Sequence, residues 1–491
     1  MLALSLAAIL IAPLSLPSAS DIATLRHVVD RVVSKYPMNT ATLSVSVVEA
    51  GTGRVLFERN AGTELAPASN FKLLDAASAL AYLGPNFRYR TELRASGSIA
   101  DGTLDGDLVL VGGGDPVLKR AVLAEAVRAV AAAGIRRVMG TVVVDDSLFD
   151  EQRYGPGWAW DDMSYYYQPP IQALSVDEGL AQVTVAPGNA AGAPVIASIE
   201  PNGSAMNIRS EAATSAAGGI NDVDCFRSPG SSLIRIVGHY PLDAKPFTFG
   251  CAVDDAPAYA AGTLKQLLRD ASISIGDAAA GPRPPEGPLD IENPIPLEHA
   301  HAARVLAPLL LWAHESPPVK DLLARMMPVS DNFIAEHLFK MLPVAELHQR
   351  GTFDGGAAVE RKFLSSLGLD ARTLDGGDGS GLSQGDRITA HDLTAILRWE
   401  MRSSTGGYFI HALARAGVNG TVRHHLRGSD AIGRVRAKDG YIWHVSTFSG
   451  YAMTRKHGLI VFSVMFNNAV GDLKPFLSAE DQIVETIVDW R

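Results

Sequence analysis

The chain has 491 residues, 47% of them hydrophobic and 20% charged, with a formal net charge of −10. That length fits two to four globular domains, and the apolar content argues against a disordered chain. An acidic chain without a long Lys/Arg run argues against nucleic acid as a partner, and solubility alone accounts for the charge.

Residues 2–16 form one apolar run broken by Ser5, Pro13 and Ser15, and small residues follow at Ser18, Ala19 and Ser20. Residues 1–20 therefore read as a secretory signal, too short for a comfortable membrane span. No Lys or Arg precedes Arg26, so the usual basic start is missing. The expectation is an exported protein, periplasmic or otherwise extracytoplasmic, soluble or loosely held at a membrane surface. Residues 21–36 then have helical texture. Residues 42–49 alternate as a strand, and 54–58 return after Gly51-Thr52-Gly53 as the second arm of a hairpin. A helix rich in Ala and Leu is predicted over 68–83, closed by Gly84-Pro85.

From Asn86 the texture changes to short strands and glycine-rich turns. A strand is predicted over 107–111, a helix over 117–133 and a strand over 142–145. Asp115 suits the helix N-cap and Pro116 its first position. No Gly-Lys-Ser/Thr follows the triple glycine at 112–114, so it reads as a turn and not a phosphate loop. Cys225 and Cys251 are the two cysteines; one bridge and two buried thiols both fit. The proline-rich stretch 281–296 reads as a linker. Helical texture returns near His299 and runs to 342. Strands are predicted over 434–437, 441–453 and 459–467, and a last helix over 479–490. The two ends share one pattern and the middle has another. The organisation expected is one discontinuous domain, 21–86 with 297–491, interrupted by an inserted region, 87–296.

Three short motifs carry chemistry. Ser69-Asn70-Phe71-Lys72 is the single Ser-x-x-Lys and opens a predicted helix. A spacing of three puts both side chains on one face, a turn apart. A serine hydroxyl needs a base, and a lysine with a depressed pKa can be that base. Ser330-Asp331-Asn332, the single Ser-x-Asn, lies between two helical stretches. There Ser330 can pass a proton and Asn332 can hold an amide, or the segment simply caps the next helix. Lys438-Asp439-Gly440 ends one predicted strand and opens the next. Gly440 would admit a substrate backbone, and the Tyr441 N–H could join that of Ser69 as an oxyanion hole. Lys456-His457-Gly458 falls in a hairpin turn between two strands.

Ser-x-x-Lys, Ser-Asp-Asn and Lys-Thr-Gly are grouped in penicillin-binding proteins and class A β-lactamases. With its motifs in this order, the sequence resembles the class C low-molecular-mass penicillin-binding proteins. These are D-alanyl-D-alanine carboxypeptidase/endopeptidases with a large insertion after the nucleophile helix. The resemblance spans nearly the whole mature chain. It includes Pro67-Ala68-Ser69, Gly113-Gly114-Asp115-Pro116, Asp145-Asp146-Ser147, Gln172-Ala173-Leu174-Ser175-Val176, Asp378-Gly379-Ser380-Gly381-Leu382-Ser383 and Gly417-Val418-Asn419-Gly420-Thr421. It implies an α+β fold of the serine β-lactamase/D,D-peptidase kind: an antiparallel sheet flanked by helices, with a large inserted α/β region. It implies an acyl-enzyme on Ser69, activation by Lys72, and proton relay and positioning by Ser330 and Asn332. Positive charge comes from Lys438, and Asp439, Gly440 and Tyr441 line the substrate. Asp378, Ser380 and 417–421 shape the cleft. The implied partners are peptidoglycan stem peptides and β-lactam inhibitors, with no metal and no cofactor.

The sequence departs from the family at Asp439, where a threonine that donates to the substrate carboxylate is usual. Like charges at close range would cost of order one to several kcal/mol. A slower carboxypeptidase, a bias to internal crosslinks, and a catalytically impaired wall-binding or scaffold protein all fit; Asp439 can also pair with Lys438 or Arg423. A zinc peptidase is a rival reading through His299-Ala300-His301 and His424-His425, but there is no His-Glu-x-x-His. A β-lactamase is another, without a convincing glutamate-bearing loop for deacylation.

Overall fold

The computed structural model describes residues 17–35, 37–201, 205–276 and 309–490. Most of the expected secretory signal, the linker at 281–296 and the pair His299/His301 lie outside them. Ser18–Ser20 open the first helix, Ala19–Val33, where Ser18 and Asp21 form a reciprocal capping box.

The first layer system is a six-stranded antiparallel sheet. Its order is Ala414–Arg415, Val435–Ile442, Val445–Met453, Leu459–Asn467, Thr42–Glu49 and Val55–Arg59. Both termini thus enter one sheet, with Leu43 paired to Phe466 and Val47 to Phe462. Both faces are covered, so the central strands are buried almost throughout. Val45, Phe448, Phe462 and Val464 pack against Ala19–Val33 and the last helix, Lys474–Val488. Tyr451, Val461 and Met465 face the other way, onto Lys72–Tyr82 and five further helices. This is the period-two alternation of a strand, with a helix layer on each side.

The inserted region builds separate sheets. Arg90–Ala100 and Thr103–Val111 pair as a hairpin and carry Val142–Asp145 in parallel, with Arg120–Ala132 and Ala256–Asp270 packed on them. A further cluster joins Leu180–Ala186, Ile196–Glu200 and Phe247–Ala252. There Cys225 and Cys251 are joined in a disulfide.

Several expectations need correction. Residues 309–315 were expected to be helical but form a strand, Leu309–Glu315, antiparallel to Arg90–Ala100. An apolar run such as Leu309-Leu310-Leu311-Trp312 has no period of its own, and an open sheet edge decides its conformation. The pairing places 309–315 in one sheet with Arg90–Ala100 and Thr103–Val111. Asp115 does not cap a helix. The helix starts at Arg120, and Asp115 accepts from the Val117 N–H in a local turn. The helix expected over 68–83 is in fact a 3-10 turn, Ala68–Phe71, followed by the α-helix Lys72–Tyr82. Lys438-Asp439-Gly440 is not a junction; it lies inside one strand, Val435–Ile442, and the hairpin bend follows it at Trp443-His444.

Candidate active site

The junction of the 3-10 turn and the α-helix aligns the first motif. In a 3-10 turn residues three apart nearly eclipse, so Ser69 and Lys72 project side by side. The Lys72 ammonium donates to Ser69 Oγ at 3.1 Å, to Asn332 Oδ1 at 2.7 Å and to the Ser380 carbonyl at 2.7 Å. Its side chain is fully buried, and no carboxylate is among these partners. Burial first, then repulsion from Lys438, lowers Lys72 to about 7; Glu336, Asp378 and Asp331 pull the other way.

Asn332 opens the helix Asn332–Glu346, capped by Asp331 through the Ile334 N–H. Its amide donates to the Tyr167 carbonyl of the inserted region at 2.9 Å, leaving its oxygen for Lys72. Ser330 ends the preceding helix in the left-handed region, φ 62°, and lines the cleft. Glu336 follows Asn332 by one turn on the same helix and is fully buried. It takes the N–H groups of Gly379 and Ser380, each at 2.9 Å, and so holds the loop whose Ser380 carbonyl meets Lys72. Burial, and then Asp378, push its carboxyl up against the pull of those bonds. Asp378 ties the same loop to Gly381 and Ser383 and accepts from the Trp158 indole at 2.7 Å.

The opposite wall is the strand Val435–Ile442. The Val435 carbonyl accepts from Ala416 on the side of Ala414–Arg415. By alternation, the peptide groups of Ala437, Asp439 and Tyr441 face that same edge. Ala414–Arg415 covers the edge only as far as Arg436 and Ala437, so the Tyr441 N–H lies on its open part. Gly440 beside it lets the two walls close: a Cβ there would come within 2.8 Å of the Ser69 nitrogen and 2.9 Å of the Pro67 carbonyl. Lys438 is buried, and its ammonium donates to the Asp439 carbonyl at 2.6 Å and to the Asp439 carboxylate at 3.1 Å. The Thr421 hydroxyl donates to the same carboxylate oxygen. Of the pairings open to Asp439, the one formed is with Lys438. Burial alone would raise its carboxyl, but Lys438, Thr421 and His425 hold it below the usual range.

Ser69, Ser330, Asn332, Lys438, Asp439, Gly440 and Tyr441 all line one cleft of about 1040 Å³, with Lys72 directly beneath Ser69. Sequence reading missed Glu336 and the carbonyls of Ser380 and Tyr167. Glu336 was accessible in principle, since four residues after Asn332 is the same helical face. The two carbonyls were not, because any residue type can present one. His425 stacks on Phe448 and bonds Asp481 at 2.7 Å. Among the described residues, no group of three or more His, Cys, Asp or Glu is placed to hold a metal.

A sheet covered by helices, with a serine and a buried lysine facing a lysine-bearing strand, is the arrangement shared by serine D,D-peptidases and serine β-lactamases, and the family match decides between them. The chain belongs to the D-Ala-D-Ala carboxypeptidase 3 (S13) family, whose model matches residues 25–487. It is 32% identical over 485 residues to a D-alanyl-D-alanine carboxypeptidase from an Actinomadura strain, covering 96% of this chain and 86% of that one. It is 26% identical over 434 residues to D-alanyl-D-alanine carboxypeptidase DacB of Haemophilus influenzae, covering 86% and 84%. The crystal structure of penicillin binding protein 4 from that organism superposes with a TM-score of 0.80 at 23% identity, over 94% of this chain and 99% of that one. A second crystal structure of it, complexed with a β-lactam, superposes with a TM-score of 0.75 at 22% identity over the same shares. The activity is accordingly that of a serine-type D-Ala-D-Ala carboxypeptidase.

Proposed function

We propose that Ser69 attacks the carbonyl of the penultimate D-alanine in a peptidoglycan stem peptide, outside the cytoplasmic membrane. One observation carries this reading: the Lys72 amine is buried without a contacting carboxylate and sits 3.1 Å from Ser69 Oγ. Neutral Lys72 takes the Ser69 proton as Oγ bonds to the carbonyl carbon. The developing oxyanion rests on the N–H groups of Ser69 and Tyr441. The C–N bond then breaks, and the proton passes to the departing D-alanine amine, with Ser330 placed to relay it and Asn332 to hold the peptide. Water, deprotonated by the same lysine, hydrolyses the ester. A β-lactam would acylate Ser69 by the same attack, as the β-lactam complex of the Haemophilus protein suggests.

The test is intact-protein mass spectrometry after incubation with penicillin. One adduct is expected on the unmodified chain and none on Ser69→Ala. D-Alanine release from a muropeptide at an undiminished rate by Ser69→Ala would refute the assignment.

A further inference from the structure

A D-Ala-D-Ala end carries its carboxylate on the α-carbon of the leaving amine. That places the charge about 3–4 Å from the carbonyl carbon that Ser69 attacks. It must therefore be settled inside the cleft. Among the described residues, Lys438 is the single cationic side chain on the cleft lining. Its ammonium already donates to the carbonyl and the carboxylate of Asp439. The Thr421 hydroxyl, a neutral donor on the same wall, is also committed to that carboxylate. The Asp439 side chain is itself 24% exposed at the open edge of the strand.

We infer that Asp439 is a specificity-determining residue: it occupies the two donors a substrate carboxylate would use, and shifts the cleft toward leaving amines without an α-carboxylate. Such leaving groups include the amine of a C-terminal D-alaninamide or an unbranched side-chain amine from a crosslinked peptide. The charge on Asp439 adds to the effect, since an anion entering beside it loses Coulomb energy on both counts. No second cation on the lining offsets that charge: the other charged side chains there, Asp161, Asp162, Glu178 and Asp331, are acidic.

This inference rests on the acyl-transfer reading above, so its test is arranged not to depend on turnover. In Ser69→Ala protein, affinities are measured for diacetyl-lysyl-D-alanyl-D-alanine and for its C-terminal carboxamide. With Asp439 intact, the acid is expected to bind no better than the amide. Asp439→Asn and Asp439→Thr should raise the acid-to-amide affinity ratio about tenfold, the factor worth about 1.4 kcal/mol. Asp439→Glu should leave it unchanged. General damage to the wall weakens both ligands alike and cannot move the ratio. A ratio that stays within about twofold of the parent in both Asp439→Asn and Asp439→Thr, or falls, overturns the inference. Failure of the acyl-transfer reading would show separately, as undiminished turnover by Ser69→Ala in the parent chain.

Discussion

Lys340 and Lys72 lie in different regions of the molecule, both completely buried, and they are used in opposite ways. Lys340 sits where the helix Asn332–Glu346 meets the inserted region. Its ammonium bonds the Asp150 carboxylate at 2.6 Å and the Gln152 carbonyl at 2.7 Å, and lies 4.7 Å from the Phe353 ring centroid. Lys72 is equally buried, but its partners are a hydroxyl, an amide oxygen and a peptide carbonyl. A contacting anion keeps a buried lysine charged and makes it a strut. Neutral acceptors leave the desolvation uncompensated, so the proton is held weakly and the amine becomes available as a base. Burial lowers both amines; the contacting Asp150 opposes it at Lys340, whereas the like charge of Lys438 adds to it at Lys72. The same helix serves both regions, since Asn332, Glu336 and Lys340 recur at intervals of four along one face.

Exchanging the two lysines' circumstances tests this contrast. The largest effect is expected from Lys72→Met. kcat/KM should fall by about a thousandfold or more, as for loss of a general base in a nucleophilic pair. Stability in urea should fall by only about 1 kcal/mol, because the acceptors left without a donor, Asn332 Oδ1 and the Ser380 carbonyl, are neutral and no carboxylate is left unpaired at contact distance. Lys340→Met should do the reverse. Unfolding free energy should drop by about 2 kcal/mol, below the range for wholly buried pairs because Asp150 keeps some solvent, while kcat/KM of the folded protein holds within about threefold. Equilibrium denaturation beside a D-alanine release assay reads both. If Lys72→Met were the more destabilising of the two, the contrast would collapse.

The smallest effect is a shift of pH profile. Lys72 acts as a base only when neutral, so kcat/KM should rise with pH through about 7 and level off above it. Asn332→Asp gives Lys72 the kind of contact Lys340 has. An added anion favours the charged amine, so the rising limb should move to higher pH by about one unit. Activity at pH 7 should then fall about fivefold, because the neutral fraction drops by that factor. The variant also loses the amide donor to Tyr167, which would lower the plateau but not displace the limb. A limb that stays in place would assign it to a group other than Lys72.

Much of this was legible in the chain itself. Ser69 and Lys72, three residues apart at a helix start, share a face whatever surrounds them, since helical spacing is a local property. The strands Thr42–Glu49 and Leu459–Asn467 were readable from their β-rich apolar texture and bounding turns, although they pair across more than 400 residues. The strand Leu309–Glu315 was not, because its apolar run fits either period until the edge of Arg90–Ala100 claims it. Nor was the continuity of Val435–Ile442 through Asp439 and Gly440, where charge and glycine usually mark a turn.

By itself, then, the sequence determined which residues bear the reactive groups and the spacing within each motif, because both are properties of a few consecutive residues. Only the tertiary structure decided that Lys72 meets no carboxylate, that Glu336 holds the loop beneath it, and that Asp439 draws Lys438 and Thr421 to itself. Those outcomes depend on desolvation and on charges brought close from distant parts of the chain, and neither can be assigned to a residue until its neighbours are in place.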